Sequence, residues 1–128
     1  MRLKIVFTNR LTEAWLSRID ALKKEFPEVE FITFKDVEHP RTLLETADMA
    51  VGGRFSNEEI EKAKNLKIIF VPWTGVNMLP WEIIRKRNIA VTNTHANSRT
   101  VAERAVALSL ALTGRIVEFH NDLSQGIW

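Results

Sequence analysis

The pattern of apolar residues in this chain predicts an α/β domain built on an open parallel sheet. Three observations carry that expectation. Short apolar runs rich in β-branched residues recur at 3–7, 29–34, 49–51, 67–71 and 89–92. Between them lie stretches whose apolar residues return every three or four positions, the period of a helix. No internal repeat, low-complexity segment or obvious linker interrupts the series across the 128 residues. Such alternation of strand-like and helix-like segments is the mark of successive strand–helix–strand units.

The first run, Leu3 to Phe7, leads at once into Thr8-Asn9-Arg10. It is too short for a signal peptide and reads as a buried strand. The helix that follows starts at Thr12 and sets Leu16, Ile19, Leu22 and Phe26 on one face before Pro27 forbids continuation. That face is expected to cover the sheet. Near Ser56, a serine with Glu59 three positions on makes a capping box and fixes a second helix start. A further helix begins at Pro80, where proline suits the first turn, and runs to about Arg87. Its Arg85-Lys86-Arg87 cluster reads as a solvated last turn complementing the helix dipole. Right-handed crossovers between five strands then give an open sheet of flavodoxin-like type.

The last helix is expected to run unbroken from about Arg99 to about Ser124. Val101, Ala105, Leu108, Leu112 and Ile116 line one stripe, while Val106, Leu110, Val117 and Phe119 lie off it. A helix apolar around so much of its circumference calls for partners on more than one side. A second domain or a second chain is the expected cover, so self-association is predicted for the isolated chain.

Composition narrows the function classes. A length of 128 residues allows one domain with a real core, and 45% hydrophobic with 27% charged residues is ordinary for a globular protein. The lack of cysteine excludes disulfides and cysteine metal sites and fits a cytoplasmic protein. With a net charge of +2 there is no strong basic field to attract nucleic acid. The longest apolar run, from Ala105 to Leu112, is far short of the roughly 20 residues a membrane span needs. Three scattered histidines, His39, His95 and His120, suggest neither a proton relay nor a metal site.

Ligands of a parallel sheet bind at the carboxyl ends of its strands. Those ends here are Thr8-Asn9-Arg10, Phe34-Lys35, Gly52-Gly53-Arg54, Trp73-Thr74-Gly75-Val76 and Asn93 through Asn97. Gly52 and Gly53 let backbone amides approach a ligand oxygen, and Arg54 adds a cation suited to a carboxylate. A simple tight turn at the two glycines is the competing reading. Asn97 has one too, as a polar residue at the start of a helix beside a Ser98 cap.

Two motifs, Thr74-Gly75-Val76-Asn77 and Asn97-Ser98-Arg99-Thr100-Val101-Ala102-Glu103, resemble those of the D-2-hydroxyacid dehydrogenases, the family of NAD-dependent formate, glycerate and phosphoglycerate dehydrogenases. The resemblance covers nearly the whole chain. It implies a substrate-binding domain over 1–98 and, over 99–128, a helix linking to a separate dinucleotide-binding domain. It also implies that Gly52, Gly53, Arg54, Thr74 and Gly75 hold a substrate carboxylate, that Asn97 hydrogen-bonds the substrate, and that Thr100 and Val101 face the nicotinamide. Asn77 replaces the usual aspartate of the turn, and Arg104 stands where many members carry histidine.

The substrate implied is a small 2-hydroxy or 2-oxo acid, and the cofactor of the complete enzyme is NAD or NADP. No Gly-x-Gly-x-x-Gly phosphate loop occurs in these residues, nor does the family's catalytic Arg/Glu/His region, so the isolated chain is expected to be inactive and to bind no cofactor tightly. The alternative is a stand-alone ligand-binding or protein-interaction module of the same topology. A receiver domain would need acidic residues where Gly52-Gly53-Arg54 and Thr8-Asn9-Arg10 stand, and Leu11 interrupts any flavodoxin-type phosphate loop.

Overall fold

β1 (Leu3–Phe7) pairs in parallel with β2 (Val29–Ile32) on one side and β3 (Met49–Val51) on the other. β4 (Ile68–Val71) and β5 (Ala90–Asn93) extend the sheet beyond β3, giving the order β2-β1-β3-β4-β5, parallel throughout. This is the flavodoxin-like order expected from the sequence. The computed structural model describes residues 2–128. By internal contacts it separates into one unit ending at Thr94 and a second running from His95 to Trp128.

Alternate residues of the strands feed two cores. Val6, Ile32, Ala50, Ile69 and Val71 face the larger one. There they meet Leu44 of a 3-10 helix (Pro40–Thr46), Ile60 of α2 (Asn57–Lys62) and Ile83 and Ile84 of α3 (Trp81–Lys86). The opposite face presents Phe7 and Val51 to Ile19 of α1 (Glu13–Glu25).

The predicted stripe on α1 is buried only in part. Ile19 is enclosed, Leu16 is half-buried, and Leu22 and Phe26 stay 37% and 38% exposed. The stripe meets the smaller core around Ile19 alone, and Phe26 lies past the last turn with its N–H returned to the Leu22 carbonyl. After His39 the chain enters the 3-10 helix, where Pro40 and Leu44 find burial.

The Arg85-Lys86-Arg87 cluster is not uniformly solvated. α3 stops at Lys86, Asn88 adopts the left-handed conformation at φ 52°, and the half-buried Arg87 donates to the carbonyls of Ile60, Ala63 and Lys64. These carbonyls lie at and just past the end of α2, and a guanidinium fork reaches several together. Arg85 instead lies over the Trp81 ring, 5.6 Å from its centroid.

The last helix is interrupted. α4 (Ser98–Thr113) ends at Gly114, Arg115 takes φ 51° and ψ 33°, and α5 (Ile116–Ser124) restarts. A left-handed residue after a helix diverts the chain, and glycine just before it is a helix-stop signal. Arg115 is held in place by Glu118 and by the Phe119 ring. No residue of α4 or α5 is buried.

Candidate functional site

The connection from β1 leads to β2 on one side and the connection from β3 leads to β4 on the other, so the carboxyl ends of β1 and β3 flank the topological switch point where open α/β sheets bind ligands. The backbone there is tightly fastened. The Thr8 N–H donates to the Val51 carbonyl at 2.9 Å, and the buried Thr8 hydroxyl lies 3.1 Å from the same oxygen and 3.2 Å from Asn9 Oδ1.

Gly52 and Gly53 are required by close approach. A Cβ on Gly52 would stand 2.0 Å from Thr8 Oγ1, and one on Gly53 would stand 2.2 Å from Cζ2 of Trp73. The Gly52 N–H is committed to the Phe70 carbonyl at 2.9 Å, which extends the ladder between β3 and β4. Among the described residues the amides of Gly53 and Arg54 have no backbone or side-chain acceptor. The exposed Arg54 side chain likewise makes no ion pair there.

Beyond Arg54 the loop is pinned again. Phe55 is buried, and the capping box predicted at Ser56 and Glu59 is present, with Ser56 N–H to Glu59 Oε2 at 2.8 Å and Glu59 N–H to Ser56 Oγ at 3.1 Å. Arg41, from the 3-10 helix, grips Glu59 with Nε and Nη2 and donates from Nη2 to the Arg54 carbonyl at 2.9 Å. Burial raises the Glu59 pKa, but the hydrogen bonds from Arg41 and Ser56 outweigh it and hold the carboxyl below its ordinary value.

The Thr74-Gly75 turn follows the neighbouring strand, β4. Asn93 at the end of β5 donates from Nδ2 to the Thr74 carbonyl at 2.7 Å, the Thr74 hydroxyl lies 3.3 Å from the Thr94 carbonyl, and Trp81 Nε1 donates to the Val76 carbonyl at 3.1 Å. The amides of Thr74 and Gly75 have no acceptor among the described residues. A Cβ on Gly75 would meet only Asn77 Oδ1, at 3.4 Å, so this position is open rather than crowded. Among the described residues, two turns on adjacent strands thus carry unpaired amides, and one of them also carries an unpaired guanidinium, the kinds of donor that a carboxylate takes.

Beside this region lies a cleft of about 230 Å³. Its walls include Asn9, Arg10, Leu11, Trp15, Pro72 and Trp73. Sequence reasoning had marked Thr8-Asn9-Arg10 only as a strand end, and had given no role to Trp73, Asn93 or Arg41. The strand-end rule also places Trp73 and Asn93 at the ends of β4 and β5, and nothing local points to Arg41.

Asn97, Thr100 and Val101 belong to the second unit. Asn97 holds the cap position of α4, where its carbonyl accepts from the Val101 N–H at 3.0 Å while its side chain makes no capping bond. Ser98 is the first helical residue rather than the cap, and Thr100 and Val101 lie exposed in the first turn. No cluster of three metal-ligating side chains occurs among the described residues, and none of their helices is long and apolar enough to cross a membrane.

Residues 5–123 match the family described as D-isomer specific 2-hydroxyacid dehydrogenase, catalytic domain. The chain belongs to that family. The chain is 33% identical over 131 residues to a D-3-phosphoglycerate dehydrogenase of Methanocaldococcus jannaschii, covering 98% of the chain and 24% of that protein. A solved structure of a Pyrococcus horikoshii protein superposes with a TM-score of 0.75 at 25% identity, covering all of the domain and 38% of its counterpart. The NAD-dependent formate dehydrogenase of Staphylococcus aureus, solved with NAD, gives a TM-score of 0.69 at 26% identity, over 100% of the domain and 43% of that enzyme. The dehydrogenase domain therefore spans between about a quarter and somewhat over two-fifths of the length of these relatives.

Proposed function

We propose that this chain is the substrate-binding part of an NAD(P)-dependent D-2-hydroxyacid dehydrogenase, and that it holds the carboxylate of a small 2-hydroxy or 2-oxo acid. The observation that carries the reading is the pair of turns after β3 and β4, in which, among the described residues, the amides of Gly53, Arg54, Thr74 and Gly75 lack protein acceptors and the Arg54 guanidinium makes no ion pair. Four amides and a cation match the lone pairs and charge of a carboxylate. In this assignment Gly52 acts through its shape, since its N–H already serves the sheet.

Asn97 is assigned to hydrogen-bond the reacting end of the substrate, and Thr100 and Val101 to line the nicotinamide, on their match to the family motif. The residues of this chain do not supply a dinucleotide phosphate cradle, for no Gly-x-Gly-x-x-Gly occurs among them. Cofactor binding is therefore assigned to a separate domain, and hydride transfer by these 128 residues alone is not expected. The apolar surface of α4 and α5 supports self-association of the isolated chain.

Titration of the isotope-labelled chain with glyoxylate, followed by amide chemical shifts, tests the reading. Saturable shifts confined to Gly53, Arg54, Thr74, Gly75 and their neighbours are expected. Absence of any saturable shift, or turnover of glyoxylate with NAD(P)H at enzymatic rates by the chain alone, would sink it.

A further inference from the structure

The loop from Gly52 to Ser56 is fastened at its two ends, by Gly52 N–H to the Phe70 carbonyl and by the Ser56–Glu59 capping box. Its middle, where Gly53 and Arg54 offer their amides, is held by neither. We propose that Arg41 is a positioning residue for carboxylate binding, presetting this loop from the 3-10 helix. The inference rests on the carboxylate-binding reading above.

The geometry is that of a clamp with three acceptors. Arg41 Nε reaches Glu59 Oε1 at 2.8 Å, Nη2 reaches Glu59 Oε2 at 2.9 Å, and Nη2 also reaches the Arg54 carbonyl at 2.9 Å. The guanidinium carbon lies 5.6 Å from the centroid of the Phe55 ring, so the residue after Arg54 is held as well. Fixing the Arg54 carbonyl fixes the peptide that joins Arg54 to Phe55 and leaves only a short span back to the fastened Gly52, which narrows the directions open to the Gly53 and Arg54 amides. An amide that must find its direction on binding loses affinity to ordering, whereas one already held does not.

The clamp needs arginine for two reasons. Its planar fork serves two acceptors on Glu59 while the same terminal nitrogen serves a carbonyl, which a lysine ammonium cannot reproduce. Glu59 also neutralises Arg41, so Arg54 remains the loop's unpaired cation. Glu59 is itself held in place by the helix cap, so the chain of contacts runs from the start of α2 through Glu59 and Arg41 to the Arg54 carbonyl.

The test compares glyoxylate affinity and amide hydrogen exchange in the native chain, Arg41→Ala, Arg41→Lys and Glu59→Gln, with Arg87→Ala as a control that loosens the other end of α2. Arg41→Ala is expected to weaken glyoxylate binding about tenfold, the loss of roughly one charge-assisted hydrogen bond's worth of ordering. Faster exchange should be confined to residues 53–56. Arg41→Lys should restore only part of the affinity, and Arg87→Ala should leave it unchanged. If the native chain binds glyoxylate and both Arg41 variants bind it equally well, Arg41 has no positioning role and the carboxylate reading stands. Equal weakening by Arg87→Ala would reduce the effect to general destabilisation and overturn the proposal. Failure of the native chain to bind overturns the functional reading and this inference with it.

Discussion

The indole of Trp73 lies so close against Gly53 that a methyl group on the glycine would stand 2.2 Å from its Cζ2 atom. Two loops that leave neighbouring strands are thereby in contact at the place where both turn over the sheet. Gly53→Ala must push the ring away, and overpacking of this kind costs about 1–3 kcal/mol. Since Trp73 is 39% exposed it has room to tilt, which sets the expectation at the lower end. Urea unfolding should show the loss, and adding Trp73→Leu should return most of it. An unchanged midpoint in Gly53→Ala would show that the contact is slack.

Arg87 joins α3 to the end of α2 through the carbonyls of Ile60, Ala63 and Lys64. Its removal takes a donor from all three carbonyls, of which that of Ala63 still accepts from the Leu66 N–H. Arg87→Ala should destabilise the chain by about 1.5–3 kcal/mol, the range for hydrogen bonds to a charged group. Arg87→Lys should recover less than half, since an ammonium cannot span three acceptors. Chemical denaturation of the three proteins decides it; equal stabilities would mean that water replaces the guanidinium without cost.

Acid should weaken the fold through two carboxyls. Burial raises the Asp36 pKa, but hydrogen bonds from Lys23 and from the Thr33 hydroxyl and N–H hold it below its ordinary value, as Arg41 and Ser56 do for Glu59. A carboxyl whose folded pKa is depressed adds stability that is complete above its unfolded value, about pH 4, and is lost as pH falls through the folded one. Unfolding midpoints measured against pH should therefore decline below about pH 4. Asp36→Asn with Glu59→Gln should flatten that acid limb, and a double variant as acid-sensitive as the native chain would refute the assignment.

The second unit presents Leu108 and Leu112 at 70% and 81% exposure. Apolar surface of this extent favours association. Sedimentation of the isolated chain should show mass rising with protein concentration, and Leu108→Glu with Leu112→Glu should abolish the rise. A native chain that stays monomeric at high concentration would argue against it.

Much of the fold was legible because its signals are local. The runs that became β1 and β3 needed only their β-branched composition and their flanking turns, and the α2 start needed only Ser56 and Glu59, three residues apart. The break at Gly114 and Arg115 was a local signal passed over, since the apolar stripe runs on across it and only backbone conformation reveals the left-handed residue. In the site, the strand-end rule and the Thr74-Gly75 motif found the amides. They did not reveal that the Gly52 N–H was already taken by Phe70, because that depends on which strand lies beside β3.

The amino-acid sequence alone determined the alternation of strands and helices, the turns at the carboxyl ends of the strands and the family to which the chain belongs, since periodicity, caps and motifs are read within a few residues of one another. Tertiary structure decided which side chains hold those turns and the helix behind them: Arg41 on the Arg54 carbonyl 13 positions away, Asn93 on Thr74 at 19, and, at the end of α2, Arg87 on Ile60 at 27. Each such pair is separated by a whole strand or helix, β3, α3 and β4 in turn, and no local pattern encodes where the packed sheet will set two distant residues side by side. Long-range hydrogen bonds form only after the packed sheet has fixed those distances, which is why the clamp on the site appears in the structure and leaves no signature in the chain.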